Sequence, residues 1–253
     1  MGYHPIFNGV RVMVDKDQPT GDTWEERATK GDMLQAVIDP ADRVGRKNRF
    51  IDLIHRITLS KYFPQKSKGN TLDFGCGTGR FLPMLSERAS QIVAIDITKG
   101  MLKCAKKNTR NLGNVELILC DYTFLPFIEE SFGSILSVWV LQHILRKEDF
   151  QNAVKKLVRV LKTDGRAYLI ERARVSKTRR MPKDYVDMFK GCKCVVQISI
   201  RRNRSILSSL IQLKFTPRFM FPLIARLDIL LSRVKPIPDE GYADYFFIFQ
   251  KRG

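Results

Sequence analysis

The sequence has little of what builds disulfide frameworks, zinc sites or secretory leaders. Its five cysteines are odd in number and include no Cys-x-x-Cys pair, and its three histidines lie far apart. These spacings argue against both a disulfide framework and a metal site. The N-terminal residues lack the basic start and the apolar core of a signal peptide, which favours a reducing, cytoplasmic setting.

Acidic residues are scarce relative to basic ones, and the formal net charge is +18. From Glu171 to Lys235 there are 16 Lys and Arg against 4 Asp and Glu, a net charge of +12 in about a quarter of the chain. We expect this segment to meet an anionic partner, unless it is only a solvated basic face. Its longest charge-free run, Ser205 to Leu213, is far shorter than the roughly 20 residues of a membrane-spanning helix.

A glycine-rich loop is the most informative motif that the chain does contain. The run LDFGCGTGR at positions 72 to 80 places Gly75, Gly77 and Gly79 directly after an apolar stretch. Glycines at this spacing let the backbone turn tightly and let a ligand approach the main-chain N–H groups. Asp73 precedes the loop, where a carboxylate would repel a pyrophosphate and accept a hydrogen bond from an ammonium group. The loop therefore predicts a site for a cationic cofactor.

Apolar strands alternate with helical stretches from residue 70 onward, a pattern typical of a doubly wound α/β sheet. Residues 1–69 are predicted to form a helical cap, and 70–253 the main domain, with a basic, apolar insertion at 201–238. The last two strands are expected to pair antiparallel. The strands are predicted at Thr71–Phe74, Gln91–Ile95, Val115–Cys120, Ser134–Val138, Arg166–Ile170, Cys194–Ile200 and Tyr242–Phe249. Helices are predicted at Arg80–Ala89, Lys99–Asn108, Phe150–Leu161 and Lys183–Phe189.

Acidic residues stand at the ends of two of these strands, in positions equivalent to that of the glycine loop after the first strand. Asp96 ends the second strand and Asp121 follows the third, while the fourth ends at Val138. In a doubly wound sheet these positions border one crevice at the carboxyl ends of the strands. Either aspartate alone could be a turn residue, but the ordered set predicts contacts to a ribose and an adenine. We infer an adenosyl cofactor.

With these motifs, the chain resembles the class I S-adenosylmethionine-dependent methyltransferases, specifically the small-molecule branch that includes quinone-biosynthesis C-methyltransferases and sugar O-methyltransferases. The stretches CDYTFLPFIEESFGSILSVWVLQHI and VLKTDGRAYLIE carry the likeness together with the glycine loop. The resemblance implies a Rossmann-like, seven-stranded sheet and S-adenosyl-L-methionine as cofactor. It also implies the cofactor-binding residues Asp73, Gly75, Gly77, Gly79, Asp96, Ile97, Asp121, Tyr122 and Val138.

Candidates for catalysis are fewer. His143 is a candidate general base, because imidazole exchanges protons near neutral pH, but in relatives a histidine here is often a structural helix residue. Trp24 and Arg27 are expected either to cover the adenosyl pocket or to pack in the core.

The acceptor is predicted to be a saccharide hydroxyl, small or lipid-linked, because the N-terminal stretch resembles cap segments of glycan-associated methyltransferases. The insertion is expected to face a diphosphate or an anionic membrane through Arg201, Arg202, Arg204, Lys214 and Arg218. The sequence also leaves open a quinone or lipid methyltransferase, an RNA methyltransferase and a non-catalytic scaffold. A basic surface also suits RNA, although the tetrapeptide after strand four is SVWV rather than an NPPY-like motif.

Overall fold

The computed structural model of the chain describes most of the sequence. The described residues are 11–13, 22–29, 33–67, 69–174, 180–202, 205–212, 215–234 and 242–253. Arg204 and Lys214, two of the five insertion residues predicted to meet an anion, lie outside these ranges.

One sheet of eight strands forms the centre of the described structure. The strands are β1 (Arg11–Met13), β2 (Asn70–Phe74), β3 (Ile92–Asp96), β4 (Val115–Cys120), β5 (Phe132–Val138), β6 (Leu161–Arg174), β7 (Cys192–Arg202) and β8 (Tyr242–Lys251). Their order is β1-β4-β3-β2-β5-β6-β8-β7. Neighbours are parallel from β1 to β6 and antiparallel from β6 through β8 to β7. The predicted Rossmann-like, seven-stranded sheet is confirmed, and the short β1 adds an eighth strand beside β4.

The helices of the described residues connect and flank these strands. They are α1 (Asp22–Thr29), α2 (Met33–Val37), α3 (Arg46–Tyr62), α4 (Leu82–Ser86), α5 (Lys99–Asn108), α6 (Lys147–Val160), α7 (Pro182–Met188), α8 (Ile206–Leu210) and α9 (Phe221–Val234). Two short 3-10 helices cover Leu141–His143 and Arg218–Met220. In α6, Phe150, Val154 and Leu157 recur at helical spacing and are buried, as the periodicity predicts.

Helix α4 is shorter than the predicted Arg80–Ala89. Turns with three-residue hydrogen bonds occupy both ends: Gly79 N donates to Cys76 O at 2.9 Å, and Arg88 N donates to Leu85 O at 2.9 Å. Bonds to a residue three positions earlier are frequent at helix termini, and at the C-terminal end Ala89 N still donates to Leu85 O, four residues earlier, at 2.9 Å.

Helices cover both faces of the sheet, and β8 is buried between them. Phe246 lies 5.1 Å from Tyr62 of α3 between ring centroids, and the next residue, Phe247, lies 5.5 Å from Tyr185 of α7. Because successive strand residues point to opposite faces, the continuous apolar run of β8 fits a strand buried on both sides. None of the helices in the described part of the chain combines the length and apolar character needed to cross a membrane.

The insertion between β7 and β8 begins later than predicted. Arg201 and Arg202 are the last residues of β7, and α8, the second 3-10 helix and α9 follow. Arg201 is buried, and its Nε donates to Asp244 Oδ2 at 2.6 Å. The expectation that Arg201 meets an external anion is therefore wrong, because its charge is already paired inside the protein. The division into a cap at 1–69 and a domain at 70–253 stays a prediction.

Parallel pairing places a switch point at the centre of the sheet. Strand β2 pairs with β3 on one side and with β5 on the other. The chain thus leaves β2 towards β3 and β4, and later returns to the opposite side. At such a reversal the connections after the strands separate and open a crevice at the carboxyl ends.

Candidate active site

The glycine loop follows β2 and closes against β3. Gly75 N and Cys76 N both donate to Ile95 O, at 2.9 and 2.8 Å. Gly75 has a φ of +75° and Gly77 a φ of +53°, a region in which side chains with a Cβ are strained. A Cβ at Gly77 would lie 2.9 Å from Val37 Cγ1. Only glycine fits this narrow turn, which keeps main-chain atoms accessible from the crevice.

Asp96, at the end of β3, holds the loop in place. Its Oδ2 accepts a hydrogen bond from Gly77 N at 2.8 Å, and its Oδ1 accepts one from Thr98 N at 2.9 Å. Burial raises the pKa of the Asp96 carboxyl, although these backbone N–H groups lower it. A carboxylate oxygen has two lone pairs, so Asp96 keeps the capacity to accept hydrogen bonds from ligand hydroxyls.

Asp73 is a buried carboxyl with an unused oxygen. The residue is only 3% exposed, and no hydrogen-bond partner among the described residues reaches its Oδ2. Burial raises the pKa of Asp73 to about 7, the nearby Arg80 lowers it, and Asp96 raises it further. A bound cation beside Oδ2 would stabilise the ionised form. The site therefore favours a positively charged ligand group, as the sequence predicts.

A cavity of about 430 Å³ opens at this end of the sheet. Seven of the nine predicted cofactor residues line it: Asp73, Gly75, Gly77, Asp96, Ile97, Tyr122 and Val138. Gly79 does not, and a Cβ there would lie 3.2 Å from the Ala105 Cα of α5, so this glycine permits close packing of the loop on the helix.

Asp121 is also absent from the cavity wall, although both its neighbours, Cys120 and Tyr122, line it. The Asp121 side chain is fully buried, and its Oδ1 accepts a hydrogen bond from Thr123 N at 2.9 Å. Its Oδ2 has no partner among the described residues. The carboxylate lies just behind the wall with one oxygen available.

The predicted candidates His143 and Trp24 meet at the cavity mouth. Both line the cavity, and their rings make an edge-to-face contact with centroids 5.2 Å apart. Arg27 does not line it; its guanidinium lies 4.3 Å from the Trp24 ring centroid, where a cation and an indole attract. Helix α1 is therefore part of the site, and its contact with α5 is fixed by Gly100 N, which donates to Glu25 Oε2 at 2.8 Å.

Glu171, which the sequence does not mark as functional, anchors the turn that carries His143. Its carboxylate accepts hydrogen bonds from the backbone N–H groups of Leu141 and Gln142, both at 3.0 Å. Gln142 Nε2 in turn lies 3.2 Å from His143 Nε2. Burial raises the pKa of Glu171 to about 8, and the backbone hydrogen bonds oppose this rise. A buried acid thus positions the 3-10 helix beside the cavity.

Trp139, which lines the cavity, is another residue that sequence analysis misses. It follows β5 with a φ of +59°, an uncommon conformation for a bulky residue that marks strain. Its backbone N–H donates to Ile170 O at 2.8 Å, and the Arg172 guanidinium lies 4.4 Å from its ring centroid. The indole Nε1 is buried without a partner among the described residues. No sequence signal gives a positive φ for tryptophan.

A buried network of charges supports the wall behind Trp139. Arg80 Nη1 donates to Asp52 Oδ1 at 2.9 Å, and Arg80 Nη2 lies 3.3 Å from His55 Nδ1. On the other side of His55, its Nε2 is 4.0 Å from Asp244 Oδ2. Burial lowers the pKa of His55 to about 4, so the imidazole is neutral near pH 7. The network joins α3, the glycine loop and β8 around the cavity.

Comparison with known proteins identifies the family. A model of the methyltransferase domain matches residues 72–169. The chain is 27% identical over 154 residues to phosphoethanolamine N-methyltransferase 3 of Arabidopsis thaliana. The aligned region is 56% of this chain but only 31% of the plant protein. It is 32% identical over 176 residues to the ubiquinone/menaquinone biosynthesis C-methyltransferase UbiE of Escherichia fergusonii, covering 63% of this chain and 68% of that protein. The chain belongs to the class I S-adenosylmethionine-dependent methyltransferases.

A solved methyltransferase has the same fold. The geranyl diphosphate C-methyltransferase of Streptomyces coelicolor, solved with Mg²⁺, geranyl diphosphate and S-adenosyl-L-homocysteine, superposes with a TM-score of 0.63 at 14% identity. The alignment covers 92% of this chain and 99% of that enzyme. At this identity the likeness concerns the fold alone.

The described residues fit S-adenosylmethionine, the cofactor of this methyltransferase family. The unpartnered oxygen of Asp73 suits the ligand's ammonium group, and the loop at Gly75 and Gly77 leaves room that a Cβ would fill. Asp96 suits the ribose hydroxyls, and the unpartnered oxygen of Asp121 suits the adenine amino group. The assignment of these residues to cofactor contacts stays a prediction.

Proposed function

We propose that this chain transfers a methyl group from S-adenosylmethionine to a lipid-soluble, ring-bearing small molecule. One observation carries the choice of acceptor: the part of the cavity wall outside the predicted cofactor residues is mainly apolar and aromatic, including Trp24, Val37, Trp139 and Leu145. Such a wall favours acceptors whose binding surface is apolar. The ionic groups in this part are paired: Arg146 Nε lies 3.6 Å from Asp149 Oδ2, and Arg80 binds Asp52.

The cofactor supplies an electrophilic methyl group, so the chain's main tasks are to orient the acceptor and to exclude water. Trp24 and Trp139 provide flat faces at the cavity. The indole N–H of Trp139, which has no partner among the described residues, is suited to donate to a hydroxyl or carbonyl oxygen on the acceptor ring. This contact would fix which ring atom meets the methyl group.

His143 is proposed as the group that accepts the acceptor's proton. It is exposed, borders the cavity and is held by the 3-10 helix that Glu171 anchors. Removal of a ring hydroxyl proton increases the electron density of the ring, which promotes attack on a methyl group by oxygen or by a ring carbon.

The similarity to the quinone-biosynthesis relative supports a lipid-soluble acceptor, because that relative's name specifies a quinone pathway. The saccharide hydroxyl expected from the sequence lacks a comparable observation: saccharides require many polar partners, and this wall offers few. An RNA acceptor and a non-catalytic scaffold role also compete with the proposal, and one assay separates all of them.

The test supplies methyl-labelled S-adenosylmethionine and the protein, in detergent solution, with three acceptor pools from cells: an apolar extract rich in quinones, a glycan fraction and RNA. We expect label in the apolar extract. Label in glycans or RNA would replace the proposed acceptor. No label in any pool, from protein that binds S-adenosylhomocysteine, would favour the scaffold.

A matched variant tests the role of Trp139. Trp139→Phe keeps an aromatic ring but removes the indole N–H. We expect a higher KM for the acceptor with unchanged affinity for S-adenosylhomocysteine. Ile128→Ala, at an exposed residue that does not line the cavity, serves as control. An unchanged acceptor KM in Trp139→Phe would remove the proposed hydrogen bond.

A further inference from the structure

Helix α9 turns apolar side chains to the outside. Leu223 is 57% exposed and Phe219, in the preceding 3-10 helix, is 82% exposed. Leu223, Leu227, Leu230 and Val234 recur at helical spacing, so they share one side of α9. We define the α9 apolar surface by its members, Phe219, Leu223, Leu227, Leu230, Leu231 and Val234, all of which are exposed.

Two polar residues of α9, Asp228 and Ser232, point inward, so the structure fixes which side of the helix carries the outward leucines. Ser232 is buried, and its hydroxyl donates to Ser199 O of β7 at 2.9 Å. Asp228 is also buried, with the cations Arg201 and Arg202 nearby. Rotation of the helix to hide its leucines would bring Asp228 and Ser232 out of these contacts.

The segment before α9 is also anchored. Arg46, in the first turn of α3, donates from Nε to Ile211 O at 2.7 Å and from Nη2 to Thr216 O at 2.6 Å. Its guanidinium lies 5.1 Å from the ring centroid of Phe221, the first residue of α9. These contacts fix the orientation of the α9 apolar surface relative to the domain.

The exposed charges along α9 and the 3-10 helix before it are of one sign. Along residues 218–234 the exposed charged residues are Arg218, Arg226 and Arg233, and the one acid, Asp228, is buried. Exposed leucines flanked by arginines are the pattern of a helix that lies in the plane of a bilayer, with its apolar side among the acyl chains and its cations at anionic head groups.

We propose that the α9 apolar surface docks on the surface of an anionic lipid bilayer. The chain would then rest on the membrane with Leu227 and Leu230 inserted below the head groups and Arg226 and Arg233 level with them. This inference goes beyond the proposed methyl transfer, because it rests on α9 rather than on the cavity. Arg218, one of the five insertion cations that the sequence analysis expects to meet an anion, would also contact the anionic head groups.

The test is co-sedimentation of the full chain with phosphatidylcholine vesicles, with and without one-third phosphatidylserine, at low and high salt. We expect retention on the anionic vesicles at low salt, and weaker retention on neutral vesicles or at high salt. Neutralising one arginine, Arg226→Gln, should reduce binding about fivefold. The double variant Leu227→Glu, Leu230→Glu should abolish it.

A matched control is the double variant Phe124→Glu, Ile128→Glu, which adds the same two charges at apolar residues outside α9 that are 54% and 81% exposed and should leave vesicle binding unchanged. S-adenosylhomocysteine titration shows that each variant is folded, and methyl transfer in detergent tests the proposed function independently of any bilayer. Retention of the double variant at wild-type level would overturn the proposal. So would a wild-type dimer that the double variant dissociates, since the surface would then bind a second copy.

Discussion

Protonation of Asp73 should control the affinity for the cofactor's ammonium group. Burial raises the pKa of Asp73 to about 7, and its Oδ2 has no partner among the described residues. With a pKa of about 7, the ionised fraction falls from about one half at pH 7 to about 3% at pH 5.5. If only the ionised form binds, affinity for S-adenosylhomocysteine should fall by up to about 16-fold, or about 1.6 kcal/mol, over this interval.

The assay is calorimetric titration with S-adenosylhomocysteine at several values between pH 5.5 and pH 7. The ligand's α-amino group stays protonated throughout, because the pKa of an α-amino group lies above this range. The matched variant Asp73→Asn should bind more weakly at pH 7 and lose most of the pH dependence, retaining only a part due to Asp96. A flat wild-type profile, or an equal slope in Asp73→Asn, would refute the assignment of Asp73 to the ammonium contact.

Three further predictions concern the loop, the charge network and the pH dependence of stability. Asp96→Ala should weaken S-adenosylhomocysteine binding in a folded protein, because it removes the acceptors of Gly77 N and Thr98 N; unchanged calorimetric affinity would contradict this. Asp244→Asn should lower the free energy of unfolding, measured in urea, by about 3–5 kcal/mol, because it leaves the buried Arg201 without its carboxylate partner. The control Asp187→Asn, at an exposed residue of α7, should change this free energy little. From pH 6.5 to pH 8.5 the melting temperature of the ligand-free chain should fall. The folded pKa values of Asp73 and Glu171, about 7 and about 8, lie above their unfolded values, and the stability that their protonated forms contribute is lost as the pH rises through the folded pKa. A melting temperature that rises over this range would show that these carboxyls are not protonated in the fold.

Much of the core of the site could be predicted from sequence because its signals are local. The glycines and Asp73 lie within seven residues of one another, and Asp96 lies directly at the end of its strand. A doubly wound topology then brings such positions to one crevice, whatever the remaining sequence. This is why seven of the predicted cofactor residues line the cavity.

The rest depends on contacts that join distant parts of the chain. The buried cluster brings Asp52 and His55 of α3 together with Asp244 of β8, and no sequence spacing indicates that pairing. Arg201 illustrates the consequence: within a basic segment it reads as a surface cation, yet tertiary structure pairs it with Asp244. The strain at Trp139 is likewise set by its surroundings rather than by local propensity.

Tertiary contacts also determine which side of α9 faces outward. The apolar residues of this segment recur at helical spacing in the sequence, but spacing alone does not tell which side of a helix is buried. The hydrogen bond from Ser232 to β7 and the cations near Asp228 decide this, and they leave the leucines exposed.

Calorimetric titration of the full chain with S-adenosylhomocysteine at pH 7 tests the central claim most directly, namely that the cavity at the ends of β2 and β3 holds the methyltransferase cofactor. We predict one saturable site per chain, for which S-adenosylmethionine competes and which Asp96→Ala weakens. Absence of binding to the folded chain would contradict the account and would leave a methyltransferase fold without its cofactor.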